Sequence, residues 1–190
     1  MQKLLIGLFV LKCLLCGQAY ATSILVVALG ANGQDQKDDT GPIQQAISNY
    51  DTIYIPKGVY LITTIQIGDN KVVQTDGFST KLQQLPNNIG KQIIRIEGSN
   101  VSLDPMSFEG NIATDTSEFN YAVFVVPPLD KNTRNIVVKG VNARNLRGDA
   151  VSIGNSGSTY PEHVLVENVT VQNCFRNGIS VVGGKDIIIR

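Results

Sequence analysis

Apolar and polar residues alternate in short bursts along the last third of the chain, and the bursts recur at a fixed spacing. Residues 136–153 superimpose on residues 164–181 without a gap, at a shift of 28 positions. Each copy contains three bursts in which every second residue is apolar, the period of a strand with one buried face. A repeat of this length indicates a solenoid, so each copy is predicted to form one coil of three strands.

The repeat also predicts which residues stack on one another in successive coils. Between the second and third bursts, Asn145 falls on Asn173. This indicates a row of asparagines at a sharp turn, because asparagine tolerates left-handed backbone geometry and bonds to nearby groups. At the next position Leu146 falls on Cys174, so the cysteine is predicted to be a buried apolar residue and not a nucleophile. A third copy begins near residue 187.

A helix followed by two strands is predicted upstream of the repeat. Thr40 is the expected N-cap, and Pro42 lies in the first turn, where its missing N–H has no intrahelical partner to lose. Strands are expected at 52–55 and 59–64. The helix would cover the open apolar end of the first coil, since solenoids need such caps. Further strand-like runs occur in the middle of the chain, at 92–96, 101–103 and 121–126.

The N-terminus predicts export. Residues 1–21 combine a basic start at Lys3, an apolar run over 4–16 and the ending Ala19-Tyr20-Ala21, which is typical of a cleavable secretory signal. The run is too short to span a membrane. We therefore expect a secreted, periplasmic or extracellular protein. Together with the repeat, this predicts that residues 22–190 form one all-β domain, a right-handed parallel β-helix of about five coils.

Charge and chain length refine this picture. Without the two lysines of the signal segment, 14 basic residues face 16 acidic ones, and no cluster of Lys and Arg suggests a nucleic-acid partner. The sequence stops at Arg190, inside the first strand of the third matching coil. We expect either a fragment of a longer solenoid or a partner that associates with the open C-terminal coil.

Residues 30–60 carry a second signature. The chain resembles the pectate-lyase-like superfamily of β-helices, which includes rhamnogalacturonase-, polygalacturonase- and epimerase-like members and whose N-terminus runs G-A-x-G-D-G-x-x-D-D-T, a helix, then T-[VI]-Y-[IV]-P-x-G-x-Y. Gln34 departs from this pattern, which has aspartate at that position. The likeness extends over 30–67 and 135–190 and is weak between them. The matching positions are Gly30, Ala31, Gly33, Asp38, Asp39, Thr40, Tyr54, Ile55, Pro56, Gly58 and Tyr60.

This resemblance implies a protein that acts on an acidic polysaccharide at the outer face of its coils, as a lyase, an epimerase or a glycoside hydrolase. Hydrolases of this kind use paired carboxylic acids. Residues 148–154 resemble the family's G-D-D motif, but Ala150 replaces its second aspartate. One coil later, Asn177 stands where the family has a histidine. The hydrolase apparatus is therefore incomplete, and whether the chain is an enzyme stays open.

For elimination or epimerisation, the resemblance makes Asp149 and Arg176 the candidate catalytic residues and Arg147, Asn177 and Lys185 the candidate substrate-binding residues. All five are expected on or beside the third strand of adjacent coils, one strand spacing of ~4.8 Å apart. A carboxylate beside a guanidinium could bind a uronate or activate a base, but it is equally an ordinary ion pair between coils.

Two further possibilities follow from the same residues. No spacing of acidic residues predicts a metal site, although calcium would be expected if the protein were a lyase. The alternative function is a non-catalytic carbohydrate-binding or surface module of the tailspike kind, because the same coils can serve as a rigid platform. In each case the expected partner is a polysaccharide.

Overall fold

The structure, a computed structural model, describes residues 22–190 and is a right-handed parallel β-helix. The predicted signal segment, residues 1–21, lies outside the described residues. The one α-helix of the described part, α1, spans Thr40–Asn49. The strands are, in chain order, β1 (Ser23–Leu25), β2 (Thr52–Ile55), β3 (Gly58–Ile62), β4 (Ile65–Ile67), β5 (Lys71–Thr75), β6 (Thr80–Gln84), β7 (Ile94–Ile96), β8 (Val101–Leu103), β9 (Met106–Glu109), β10 (Val123–Val125), β11 (Thr133–Val138), β12 (Val141–Arg144), β13 (Val151–Ile153), β14 (Pro161–Val166), β15 (Val169–Gln172), β16 (Ile179–Val181) and β17 (Lys185–Ile189).

These strands form three parallel sheets that run the length of the solenoid. Sheet A has the order β1-β2-β5-β8-β11-β14-β17, sheet B has the order β3-β6-β9-β12-β15, and sheet C has the order β4-β7-β10-β13-β16. Each of the five complete coils contributes one strand to each sheet, and β1 and β17 extend sheet A at its two ends. The predicted coil of three strands is confirmed, and so is its 28-residue shift, since Ile136 pairs with Val164 and Val151 pairs with Ile179.

The core is built from apolar rows that point inwards from all three sheets. In sheet A the register places one such row through six coils: Ile53, Val73, Leu103, Val138, Val166 and Ile189. All but the last are buried. Cys174 packs against this core in the coil after Leu146, and burial raises the pKa of its thiol, as expected of a structural cysteine.

The helix lies as predicted but begins one residue earlier. Asp39, not Thr40, occupies the N-cap position, and its carboxylate accepts a hydrogen bond from the Asn32 N–H instead of capping the helix. The Thr40 hydroxyl is used elsewhere, because it accepts the Thr63 N–H at 2.8 Å. That bond removes Thr63 from the sheet, which explains why β3 ends at Ile62 and not at residue 64. In the middle of the chain β8 has the predicted bounds, while β7 and β10 are shorter than expected.

Asparagines in left-handed conformation mark the turns between strands. The predicted row is confirmed, because Asn145 and Asn173 both have positive φ and the Asn173 amide donates to the Asn145 side-chain oxygen. A second row, not predicted, lies beside sheet A and comprises Asn70, Asn100 and Asn135, linked by amide hydrogen bonds of 2.9 Å. These amide rows tie successive coils together outside the core.

Candidate functional site

The candidate site lies where the chain enters the strands of sheet C. The residue two positions before each of four successive strands stacks on the next coil, forming an edge row of Gln92, Tyr121, Asp149 and Asn177. Backbone hydrogen bonds hold this row, since the Ile93 N–H donates to the Tyr121 carbonyl and the Ala150 N–H donates to the Asn177 carbonyl. Neighbouring members are therefore one strand spacing, ~4.8 Å, apart.

Asp149 is the buried anchor of this row, with 1% of its surface exposed. Its Oδ1 accepts the Asn177 backbone N–H at 2.9 Å and lies 3.8 Å from Arg176 Nε. The predicted neighbourhood of Asp149 with Arg176 and Asn177 across one coil spacing is thus present in the structure. The carboxylate therefore faces the guanidinium of Arg176 and is shielded from the solvent.

Arg176 connects this buried carboxylate to the surface. About a third of its side chain, 34%, is exposed, and its Nη1 lies 3.6 Å from Glu118 Oε2. Glu118 belongs to the segment between β9 and β10, and 56% of its side chain is exposed. A single guanidinium therefore bridges one buried and one exposed carboxylate.

Tyr121 completes the cluster, and sequence reasoning assigned it only to a strand. The side chain is buried one coil before Asp149, in the same edge row. Burial raises the pKa of the phenol, and the Asp149 charge raises this pKa further, while the Arg176 charge lowers it. A signal for Tyr121 existed, because it precedes Asp149 by the same 28 positions that separate the two recognised copies.

The outer face of sheet C forms a groove beside the edge row. Register aligns Arg95, Phe124 and Ser152 along this face. The Arg95 guanidinium lies 5.4 Å from the centre of the Phe124 ring, which packs in turn against Tyr121. Next to Arg95 the groove widens into a cavity of about 510 Å³ that Lys91 also lines. We call this surface the sheet C groove.

Arg147 lies near the cluster but points away from Asp149. Its guanidinium carbon is 3.8 Å from the centre of the Phe175 ring, a cation–π contact with the next coil. Its Nε is buried without a hydrogen-bond partner among the described residues. Asn177 uses its side-chain amide to bond Ser180 Oγ at 3.1 Å. Arg147 therefore contacts the next coil, and the Asn177 side chain is bonded within its own coil.

Lys185 is placed differently from the prediction. It begins β17 in sheet A, where it is paired with Glu162, and not on the third strand of its coil. Lys185 follows β16, whereas Asp149 precedes β13. Because these strands are parallel, the two residues lie at opposite ends of the strands of sheet C. The prediction was wrong in position, since the turn after β16 is shorter than the turn after β13 and the next strand starts earlier.

The described residues offer little to a metal ion. Within residues 22–190, no three side chains from His, Cys, Asp and Glu lie close enough together to hold a cation. The calcium ion that a lyase would imply is not matched by a ligand set here, so no step is assigned to it. The same part of the chain has no helix of the length and apolarity needed to cross a bilayer.

No protein-family model matches the sequence, and neither does any curated protein sequence. Solved structures with a similar fold include the A-modules of two mannuronan C-5 epimerases from Azotobacter vinelandii. One is 19% identical with a TM-score of 0.64, over 87% of this chain and 55% of the module. The other is 20% identical with a TM-score of 0.65, over 87% of this chain and 54% of the module. The chain thus spans about half the length of these modules.

A candidate glycosyl hydrolase from Parabacteroides merdae is also similar. It is 16% identical with a TM-score of 0.54, and the match covers 88% of this chain and 93% of that protein. At these identities the likeness shows the fold alone. It confirms the predicted right-handed parallel β-helix fold.

Proposed function

We propose that this protein binds an acidic polysaccharide in the sheet C groove and acts on it at the cluster of Arg176, Asp149 and Tyr121. The observation that carries this proposal is the position of the Arg176 guanidinium between a buried and an exposed carboxylate. This guanidinium lies against the buried carboxylate of Asp149 on one side, while its other side is partly exposed and faces the exposed carboxylate of Glu118. An arginine fixed in this way is preorganised to receive a planar carboxylate.

Glu118 supports this reading because it already occupies the open side of Arg176. Its carboxylate stands in for that of a uronate, at 3.6 Å from Nη1. An ion pair this exposed contributes at most about 1 kcal/mol, so a ligand carboxylate could displace it at low cost. Asp149, by contrast, is buried and would keep Arg176 in place during the exchange.

Charges of both signs lie along this face of the solenoid. Lys91, Arg95 and Glu97 line the cavity, and Arg176 lies between Asp149 and Glu118 further along. The half-buried ring of Phe124 adds an apolar surface next to Arg95. Charged and apolar groups arranged along one face suit a polymer of acidic sugars better than a small neutral ligand.

The residues favour chemistry at a C–H bond next to a carboxylate over hydrolysis. Pairing with a guanidinium withdraws charge from a uronate carboxylate and so acidifies the neighbouring C–H bond. The proton of that bond would pass to the exposed carboxylate of Glu118 once the ligand has displaced it from Arg176. The phenol of Tyr121 keeps its proton at neutral pH, because the ordinary pKa of tyrosine is 10.0 and burial raises the pKa of Tyr121 further, so this residue can serve as a proton donor. Hydrolysis would need a second carboxylate beside Asp149, where the chain has the buried Ala150.

Two of the similar structures agree with this direction. They are modules of mannuronan C-5 epimerases, whose name states a uronic-acid polymer as the substrate. Elimination and epimerisation both begin at the C–H bond discussed above. Export through the predicted signal at residues 1–21, which we propose as well, would bring the protein to the compartment in which such polymers occur.

Assays that separate the reaction types test this proposal. Polymannuronate and polygalacturonate would be incubated with the protein and followed by ultraviolet absorbance for elimination, by reducing ends for hydrolysis and by proton NMR for epimerisation. We expect one of the first and third signals, and a loss of at least about 100-fold in Arg176→Gln, because one oriented charge contributes at least that much. Arg134→Gln, which removes a similar ion pair from sheet A, should leave the rate unchanged.

A binding module remains the second candidate, and one observation favours it. Asp149 is so deeply buried that its carboxylate cannot touch a ligand without movement of Arg176. If the wild-type protein binds acidic polysaccharide through Arg176 but gives none of the three signals, this second function holds. Hydrolysis without elimination or epimerisation would contradict the preference for C–H chemistry.

A further inference from the structure

A second cavity lies on the outer face of sheet B, away from the sheet C groove. Its volume is about 210 Å³, and its polar lining comes from three neighbouring coils. The register places Lys81, Ser107 and Asn142 side by side across β6, β9 and β12, and it places Glu109 next to Arg144. The cavity is therefore a product of coil stacking and not of a single loop.

An aromatic wall closes one end of this cavity. Phe78 lies in the short 3₁₀ turn Gly77–Ser79 before β6, and 49% of its surface is exposed. The Ser107 hydroxyl donates to the Phe78 carbonyl at 2.8 Å, which fixes the turn. The ring lies close to Gly140, where an added Cβ atom would be 2.8 Å from Pro105 Cβ and 3.2 Å from Phe78 Cζ. The small residue at this position therefore leaves room for the ring.

Charged groups line the other end. Among the described residues, neither Lys81 nor Arg144 has a carboxylate oxygen within 4.0 Å of its nitrogens. The Glu109 carboxylate accepts a hydrogen bond from the Asn145 amide and is turned towards that row. The cavity therefore contains two cations without ion-pair partners and one carboxylate, Glu109, that is already bonded to Asn145. This charge balance allows the cavity to accept an anion.

We propose that this cavity is a second carbohydrate site, which holds one acidic sugar residue. The C–H face of a pyranose would pack on the negatively polarised face of the Phe78 ring. Its carboxylate would pair with Arg144 and Lys81, and Asn142 would bond a ring hydroxyl. The site goes beyond the proposed function, because it lies on another face of the solenoid and requires no chemistry at Arg176. It would hold a polymer to the protein independently of the sheet C groove.

The chain contains no tryptophan, and this makes a selective measurement possible. Phe78→Trp would place a single indole in the wall of the cavity. Its fluorescence would be titrated with trimers of galacturonic and mannuronic acid and with the neutral trimer maltotriose. We expect a saturable change with at least one acidic trimer, at least tenfold weaker binding after Arg144→Gln in the same background, and no saturable change with maltotriose.

A matched set separates this site from the sheet C groove. Asp149→Asn combined with Phe78→Trp should leave the titration unchanged, while Phe175→Trp reports on the neighbourhood of Arg147 and Arg176 instead. Circular dichroism shows whether each variant is folded. The second site is overturned if the folded Phe78→Trp protein gives no response to either acidic trimer, if Arg144→Gln leaves the affinity unchanged, or if maltotriose binds equally well. A response from Phe78→Trp without one from Phe175→Trp would instead count against the proposed function alone.

Discussion

Arg176 shows how exposure decides the role of a charged neighbour. Both of its carboxylate partners lie within 4 Å, but Asp149 is buried and Glu118 is largely exposed. Solvent screens the outer pair, whereas the inner carboxylate would be left uncompensated if its partner were removed. The inner contact therefore positions the arginine, and the outer contact can be exchanged for a ligand.

Removing the outer carboxylate should strengthen binding of an acidic ligand. Glu118→Gln eliminates the group that competes for Arg176, and we expect the affinity for an acidic oligosaccharide to rise about two- to fivefold, since the exposed pair contributes under about 1 kcal/mol. Isothermal titration calorimetry would measure this. Glu162→Gln is the matched control, because Glu162 lies at the same 3.6 Å from Arg134 on sheet A. An unchanged or lower affinity in Glu118→Gln would show that Glu118 is not a competitor.

A second residue-scale prediction concerns pH. Burial raises the pKa of Asp39 above its ordinary value of 3.8. The folded state therefore binds this proton more tightly than the unfolded state, and its stability falls as the pH rises through the interval above 3.8. Asp39→Asn removes the buried charge while its side-chain oxygen can still accept the Asn32 N–H, so we expect a higher urea midpoint than wild type at pH 7.

The advantage of Asp39→Asn should shrink as the pH is lowered and should be gone below about pH 3.8, where both states of the wild-type protein carry the neutral acid. Asp38→Asn, at the exposed neighbouring position, is the control and should not reproduce this pH-dependent gain. A variant less stable than wild type at pH 7 but equal to it at pH 3 would reverse the assigned sign.

At the scale of elements, asparagine side chains next to the strands link successive coils in addition to the strand pairing. Nine residues other than glycine have positive φ among the described residues, and six of them are asparagines. The second amide row ends where His163 and Asp186 take over the same left-handed position, with His163 Nε2 3.4 Å from the aspartate carboxylate. The row can therefore change residue type while it keeps its backbone geometry.

Asn100 lies in the middle of this row and allows its two contributions to be separated. Asn100→Ala loses both amide hydrogen bonds and places alanine at a φ of 58°, so we expect about 2–4 kcal/mol of destabilisation. Asn100→Gly loses the same bonds but adopts this φ freely, and about 1–2 kcal/mol is expected. Urea unfolding would compare the two. Equal losses in both variants would show that the left-handed backbone contributes nothing.

The sequence predicted the strands of the last coils well, because their 28-residue repeat is free of gaps and each strand alternates regularly. Turn lengths were less accessible, and Lys185 shows why: its position depends on how many residues follow β16 before the chain re-enters sheet A. The contact between Glu118 and Arg176 could not be predicted for a related reason. Glu118 belongs to the long connection between β9 and β10, which has no counterpart in the repeat, so neither periodicity nor register could bring Glu118 to Arg176.

At the scale of the whole molecule, three faces with different chemistry share one core. Sheet A carries paired charges such as Lys139 with Asp104, sheet C carries the groove with Arg176, and sheet B carries the cavity at Phe78. The rigid stacking of coils fixes the spacing of side chains on each face. A polymer with a regular repeat can therefore be matched by side chains that recur from coil to coil.

Binding of an acidic oligosaccharide to Arg176 and Lys185 variants tests the central claim most directly. Each substitution to glutamine removes one positive charge, but Arg176 lies in the sheet C groove and Lys185 lies at the opposite end of the strands of this sheet. Calorimetric titration with hexamers of mannuronic and galacturonic acid at low ionic strength should show at least about tenfold weaker binding for Arg176→Gln, since a charge-assisted pair is lost. Affinity should be unchanged for Lys185→Gln. Equal affinities of wild type and a folded Arg176→Gln would contradict the account, as would an equal loss in both variants.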